Sequence, residues 1–203
     1  MIKVAITGQM GSGKTFISNT FKSLGVPLYL SDLEVKRLQN ENVDLKKEIK
    51  ELLGNVYLES GEMDRKKVRE LTLLNNYLLK ELTDIVMPYA LKDFEKFCET
   101  HKDSKIILAE SAILFETGFD KKFDKIIYVS SDKEKRKEMA IKRDGISEEE
   151  YDMRMSGQID DGLKITKSDY IIENDFTDNV VKKVIDLFKR LNEINNEKND
   201  NDM

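Results

Sequence analysis

The sequence predicts an α/β protein of three layers, a five-stranded parallel sheet between helices, on two observations. Five short aliphatic and β-branched runs alternate with helical patterns along the chain, and those runs have the near-continuous apolar character of strands buried on both faces. Strands that alternate with helices imply right-handed crossovers, and hence a parallel sheet.

The five runs are Ile2 to Ile6, Pro27 to Leu30, Lys105 to Ala109, Lys125 to Val129 and Asp169 to Ile172. Helix starts are marked at Ser31-Asp32-Leu33-Glu34, Ser131-Asp132-Lys133-Glu134 and Ser147-Glu148-Glu149-Glu150. Each fits the capping box, in which Ser and Glu satisfy each other's otherwise unpaired backbone N–H groups. From Asp64 to about Thr83 the residues Val68, Leu71, Leu74, Leu78 and Leu82 recur at helical spacing, and Pro88 suits the first turn of a second helix through Phe97. These two helices are expected to form an insertion at about 60–100. The polar stretch 192–203 has little to bury and is expected to be a disordered tail, which leaves 1–191 as one domain.

Composition limits the partners. With 34 Lys and Arg against 39 Asp and Glu, the 203-residue chain carries a formal charge of −5, so no global positive field is available to hold a nucleic acid and any phosphate binding must be local. No run approaches the ~18 apolar residues of a membrane span, and the opening Met1-Ile2-Lys3-Val4-Ala5-Ile6 lacks the pattern of a signal peptide. The single cysteine, Cys98, permits no internal disulfide, which makes the reducing cytoplasm the expected location. Cys98 reads as a buried helix position and the lone His101 as a surface loop residue. Nothing in the sequence fixes the oligomeric state.

The chemistry begins at Gly8-Gln9-Met10-Gly11-Ser12-Gly13-Lys14-Thr15, which matches G-x-x-x-x-G-K-[ST] at every fixed position. It follows a strand directly and precedes Phe16-Ile17-Ser18-Asn19-Thr20-Phe21, which reads as a helix, so the context that a P-loop needs is present. Gly8, Gly11, Ser12, Gly13, Lys14, Thr15 and Phe16 are therefore candidates to bind a nucleoside triphosphate, ATP with Mg²⁺. Glycine lets backbone N–H groups turn inward, and the helix N-terminus adds positive partial charge beneath the phosphates. Lys14 would reach the β- and γ-phosphates, and the Thr15 hydroxyl would ligate the metal.

Asp32 lies just past the second strand, at the carboxyl edge of the sheet where ligands of open α/β folds collect. Position alone leaves two readings even: a base for an acceptor hydroxyl, or an acid complementing a helix dipole. Glu110 ends the third strand, where P-loop proteins carry a carboxylate for Mg²⁺ or one of its waters. A segment at about 135–167 is expected to be a lid. The basic residues of that region are Arg136, Arg143, Arg154, Lys164 and Lys167; one or two of them would clamp phosphate on closure and the rest would be solvated.

With these residues in place the chain resembles the dephospho-CoA kinase family. Matching stretches are the P-loop, Leu24-Gly25, Ser31-Asp32, Met63-Asp64-Arg65, Leu114-Phe115-Glu116-Thr117-Gly118, Asp124, Arg143-Asp144-Gly145-Ile146-Ser147, Arg154, Gln158, Lys164 and Ser168 to Asn174. The resemblance implies phosphoryl transfer from ATP to the ribose 3′-hydroxyl of dephospho-CoA, with Asp32 as the catalytic aspartate, Arg143 and Arg154 in the lid, and a helical region over the acceptor. Departures fall on the acceptor side. The family's His-Pro pair is Met87-Pro88, its Pro-Leu-Leu-Phe-Glu segment begins Ala112-Ile113, and an arginine expected four positions before Arg143 is Met139. Two alternatives therefore stay open: a (deoxy)nucleoside monophosphate as the acceptor, and a nucleotide-binding switch without catalysis.

Overall fold

A computed structural model describes the backbone of residues 1–72, 75–177 and 179–201, and the side chains of those up to Ile194. The strands β1 (Ile2–Thr7), β2 (Leu28–Leu30), β3 (Ile106–Glu110), β4 (Lys125–Ser130) and β5 (Tyr170–Glu173) form one all-parallel sheet in the order β2-β3-β1-β4-β5. Each of the five expected runs is a strand to within one residue at either end. The helices are α1 (Lys14–Ser23), α2 (Ser31–Glu41), α3 (Val43–Leu53), α4 (Arg65–Thr72), α5 (Asn76–Thr100), α6 (Lys133–Asp144), α7 (Glu148–Ser156), α8 (Asp161–Thr166) and α9 (Asn179–Asn201).

Register explains the core. Ile2 pairs with Ile106, Val4 with Leu108 and Ile6 with Ile127, and because side chains alternate along a strand these pairs share one face. That face meets Ile17 and Phe21 of α1 and Val180, Val184, Leu187 and Leu191 of α9 in one buried cluster. On the opposite face Ala5, Ile107, Ala109 and Tyr128 are also buried, as the apolar runs require. The central strand β1 sits between β3 and β4, and the chain leaves it toward β2 on one side only. The loop after β1 therefore opens at a switch point of strand order, where ligands of such sheets bind.

The chain divides into two compact units, residues 1–30 with 101–203, and Ser31–Thr100. The second is helical and wider than the expected insertion at 60–100, because α2 and α3 belong to it. Leu38, Leu45, Ile49, Val56, Val68, Leu82 and Val86 form its own buried cluster.

Local expectations needed correction in five places. The helix α2 begins at Ser31 itself, whose buried hydroxyl has no hydrogen-bond partner among the described residues, so no capping box forms there. Before α6 the cap is Asp132, which accepts from the Lys135 N–H at 3.0 Å, one residue beyond the serine expected to cap; Ser147 does cap α7, accepting from the Glu150 N–H at 3.2 Å. The helix expected from Asp64 to Thr83 is two, with Asn75 accepting from the Leu78 N–H at 3.0 Å as the second begins; Leu74 lies outside the described residues. Pro88 then falls inside the 25-residue α5. An interior proline costs ~3 kcal/mol or more, and the buried stripe Leu82, Val86, Ala90, Phe94 and Cys98 offsets it at ~0.8 kcal/mol per buried methylene. Finally, α9 runs to Asn201, so the backbone is helical through most of the expected tail; Leu191 is buried and Ile194 packs on the core, while residues 202–203 lie outside the described ones. Among the described residues no helix is long and apolar enough to cross a membrane.

Candidate active site

The loop from Gly8 to Thr15 folds as a cradle because glycine stands where a side chain cannot. At Gly11 (φ 83°) a Cβ would lie 2.0 Å from the Arg136 carbonyl oxygen, and at Gly13 (φ 88°) one would lie 2.1 Å from Asn174 Nδ2. Gly13 is also the N-cap of α1 and supplies no capping side chain. The N-terminus of α1 thus opens on the loop with no capping side chain from Gly13, the arrangement that favours an anion. Lys14 is buried, and its Nζ donates to the carbonyls of Gly8 at 2.9 Å and Gln9 at 3.0 Å. An ammonium resting on neutral carbonyls is poised to exchange them for phosphate oxygens, which make stronger charge-assisted bonds.

Thr15 and Glu110 meet at the carboxyl edge of the sheet. Ile6 and Glu110 are paired across β1 and β3, and the Thr15 hydroxyl donates to Glu110 Oε1 at 2.8 Å. Glu110 Oε2 is buried without a hydrogen-bond partner among the described residues, leaving a hard oxygen unsatisfied beside a hydroxyl. In those residues no group of three or more His, Cys, Asp or Glu side chains is placed to hold a metal.

A cavity of about 500 Å³ opens from the cradle, bordered by Lys14, Thr15, Phe16, Met139, Arg143 and Phe176 among others. Phe16 and Met139 are half exposed, apolar surface that a planar base would cover. Phe176 has φ 61°, a left-handed conformation costing on the order of 1 kcal/mol for a residue with a Cβ. Arg143 reaches this cavity while donating to both oxygens of Asp144 at 2.7 and 2.9 Å, bonds that raise its pKa further. Arg154 does not line it; Arg154 donates to Glu150 at 2.6 Å and lies 3.7 Å from Asp144.

The helical unit holds Asp32 and Arg65. Asp32 is the second residue of α2, two residues past β2, with an exposed side chain. Arg65 donates from Nη1 to Gln39 at 3.1 Å, while its buried Nη2 has no partner among the described residues; burial lowers its pKa. A larger cavity, about 850 Å³, lies on the α5 face of this unit beside Asp44, Glu48, Glu81 and Asp84. There the Tyr89 hydroxyl donates to Glu48 at 2.5 Å, and that bond pushes the phenol up to about 12. Five carboxylates, Asp93 included, outnumber the two lysines Lys92 and Lys96 in this lining and leave it net negative, which disfavours phosphates, so size does not make this the nucleotide site.

The basic residues around the expected lid divide sharply. Arg136 is buried and donates to Asp161 at 2.7 Å, and the Tyr128 hydroxyl donates to the other Asp161 oxygen. Burial opposes ionisation of Asp161, but the bonds from Arg136 and Tyr128 hold its carboxyl below the usual range. Lys164 is fully buried, paired with Glu116 at 2.8 Å and donating to the Ala112 carbonyl at 3.0 Å. The Ile159 N–H donates to Glu116 at 2.8 Å, and Gln9 Nε2 donates to the Ile159 carbonyl at 2.9 Å. Arg136 and Lys164 are thus structural ties of α6 and α8 and not solvated charges. Sequence reasoning missed Asn174 and Phe176 as site residues. The signal available was Asn174-Asp175-Phe176 just past the last strand, at the same sheet edge as the P-loop.

Comparison with known proteins agrees over most of the chain. The family model of dephospho-CoA kinase matches residues 2–179. The chain is similar to a dephospho-CoA kinase of Bacteroides fragilis, 33% identical over 193 residues and covering 92% of this chain and 91% of that one. It is 32% identical over 189 residues to one of Fusobacterium nucleatum, covering 93% and 94%. Among solved structures, the dephospho-CoA kinase from Campylobacter jejuni aligns with a TM-score of 0.70 at 24% identity, covering 95% of this chain and 98% of that one; at that identity the likeness speaks to fold.

Proposed function

The chain belongs to the dephospho-CoA kinase family, and we propose that it transfers the γ-phosphoryl group of ATP to the ribose 3′-hydroxyl of dephospho-CoA, giving coenzyme A and ADP. One observation carries this reading: the family match at residues 2–179 takes in the phosphate cradle and the whole helical unit alike. A likeness confined to the cradle would leave the acceptor open.

In this reading the cradle N–H groups and Lys14 hold the β- and γ-phosphates, and the base lies toward Phe16. Thr15 and Glu110 suit Mg²⁺, since a hydroxyl and a carboxylate oxygen in contact are the hard ligands that this ion takes alongside phosphate oxygens and water. Held there by Thr15 and Glu110, Mg²⁺ would supply positive charge against the charge that develops on the phosphates. Asp32 accepts the proton of the acceptor hydroxyl as its oxygen bonds to the γ-phosphorus and the bond to the leaving ADP oxygen breaks. Arg143 balances the charge on the transferred group, Arg154 supports it from α7 through their shared partner Asp144, and the unpaired Nη2 of Arg65 suits an acceptor phosphate. The site of action is the cytoplasm.

The departures at Met87 and Ala112 are what favour a nucleoside monophosphate as the second reading. A panel of dephospho-CoA, AMP, dAMP, dGMP, dCMP and dTMP with MgATP, followed by ADP release, should give the highest kcat/KM for dephospho-CoA. A monophosphate that outperforms it would replace the acceptor named here, and no turnover with any would favour a switch. The segment 135–167 is the lid in this scheme. Its amide exchange should slow when a bisubstrate analogue binds, because closure excludes water, and identical exchange with and without the analogue would remove it from the mechanism.

A further inference from the structure

We infer that Asn174 is a positioning residue that couples the phosphate cradle to the base end of the cavity through the two ends of one buried amide. The inference rests on the ATP-binding reading of the cradle and adds to it. Asn174 follows β5 and is 3% exposed, and its own N–H donates to the Ser130 carbonyl at 2.8 Å, which fixes its backbone to β4. From that anchor Nδ2 donates to the carbonyl of Ser12 in the cradle at 2.9 Å. Its Oδ1 accepts from the Phe176 N–H at 3.0 Å.

Both ends meet something that would not hold its place unaided. Ser12 lies in a loop whose shape depends on glycine on either side, and Gly13 leaves room for the amide, since a Cβ there would sit 2.1 Å from Nδ2. Phe176 has φ 61°, a conformation that persists only where surroundings impose it, and the bond to Asn174 Oδ1 is a local constraint on that backbone. Phe176 and Asn174 both border the cavity, with Phe16, Met139 and Val180 also on its apolar side. The side chain thus sets where the aromatic ring stands relative to the loop that holds the phosphates. An amide is the group required, because it donates at one end and accepts at the other.

Calorimetry on the full chain with two magnesium-loaded probes, ATP and inorganic tripolyphosphate, separates coupling from simple support of the fold. Asn174→Ala should weaken ATP by about tenfold more than tripolyphosphate, as expected for a misplaced base shelf beside a cradle that has lost one hydrogen bond. Phe176→Ala keeps both Asn174 bonds, so it should weaken ATP and leave tripolyphosphate within about twofold of wild type. If Asn174→Ala does not fold, Asn174→Ser, whose side chain is too short to span both bonds, takes its place with the same expectation. Equal losses for the two probes, or no loss of ATP affinity, would overturn the coupling. Wild-type protein that binds neither probe would overturn the ATP reading, and the inference with it.

Discussion

Lys14→Ala will raise the Kd for MgATP by about 100-fold or more while the chain stays folded. The ammonium sits on two loop carbonyls at 2.9 and 3.0 Å, where it is pre-positioned and needs no rearrangement to meet phosphate. Hydrogen bonds to charged groups are worth ~1.5–3 kcal/mol each, so losing two on the ligand side amounts to ~3–6 kcal/mol, or roughly 10² to 10⁴ in affinity. The fold is spared because the apolar cluster under α1 is made by Ile17 and Phe21, and Lys14 contributes nothing to it. Gly13→Val attacks the same cradle by shape. Valine is a genuine outlier at φ 88°, and its Cβ would stand 2.1 Å from Asn174 Nδ2, so the amide must leave Ser12 or the loop must open. Calorimetry with MgATP and a thermal melt on both variants checks this. Wild-type affinity in both would mean that the phosphates bind elsewhere.

What the sequence disclosed about this site follows how local each signal is. A strand, a glycine-rich turn and a helix start are contiguous, so the cradle was legible from Gly8 to Thr15. Glu110 was legible because a parallel sheet puts strand ends side by side, and pairing with Ile6 then brings it to Thr15. Arg136 and Lys164 of the 135–167 segment were misread as solvated because their partners are distant in sequence. Arg136 finds Asp161 25 positions on, and Lys164 finds Ala112 52 positions back. Periodicity carries no information about such pairs, and a charged residue is solvated by default. Asn174 was likewise obscure, since its contact with Ser12 spans 162 positions. Pro88 misled for the opposite reason: the local rule was followed, and a continuous buried stripe along α5 overrode it.

Asp32→Asn will lower kcat by about 10²- to 10⁴-fold, the usual worth of a general base, with little change in MgATP affinity. Two roles compete for this residue, and their magnitudes differ enough to decide between them. As an acid in the first turn of α2, its charge would stabilise the helix by ~0.3–1 kcal/mol at an exposed position, and asparagine would forfeit that while leaving turnover alone. As a base it would forfeit turnover and almost no stability, because asparagine keeps the size and the side-chain oxygen but cannot take a proton. The surroundings favour the second outcome. Glu34 also stands in that first turn and keeps complementing the dipole when Asp32 is neutral, and Asp32 is exposed, so its loss opens no buried gap. Steady-state turnover with dephospho-CoA, set beside a thermal melt, reads both quantities on one preparation. A melting point lowered by several degrees with wild-type kcat would assign Asp32 to the helix. A loss of rate at fixed ATP that is recovered by raising ATP would place the defect in nucleotide binding, where neither role puts it.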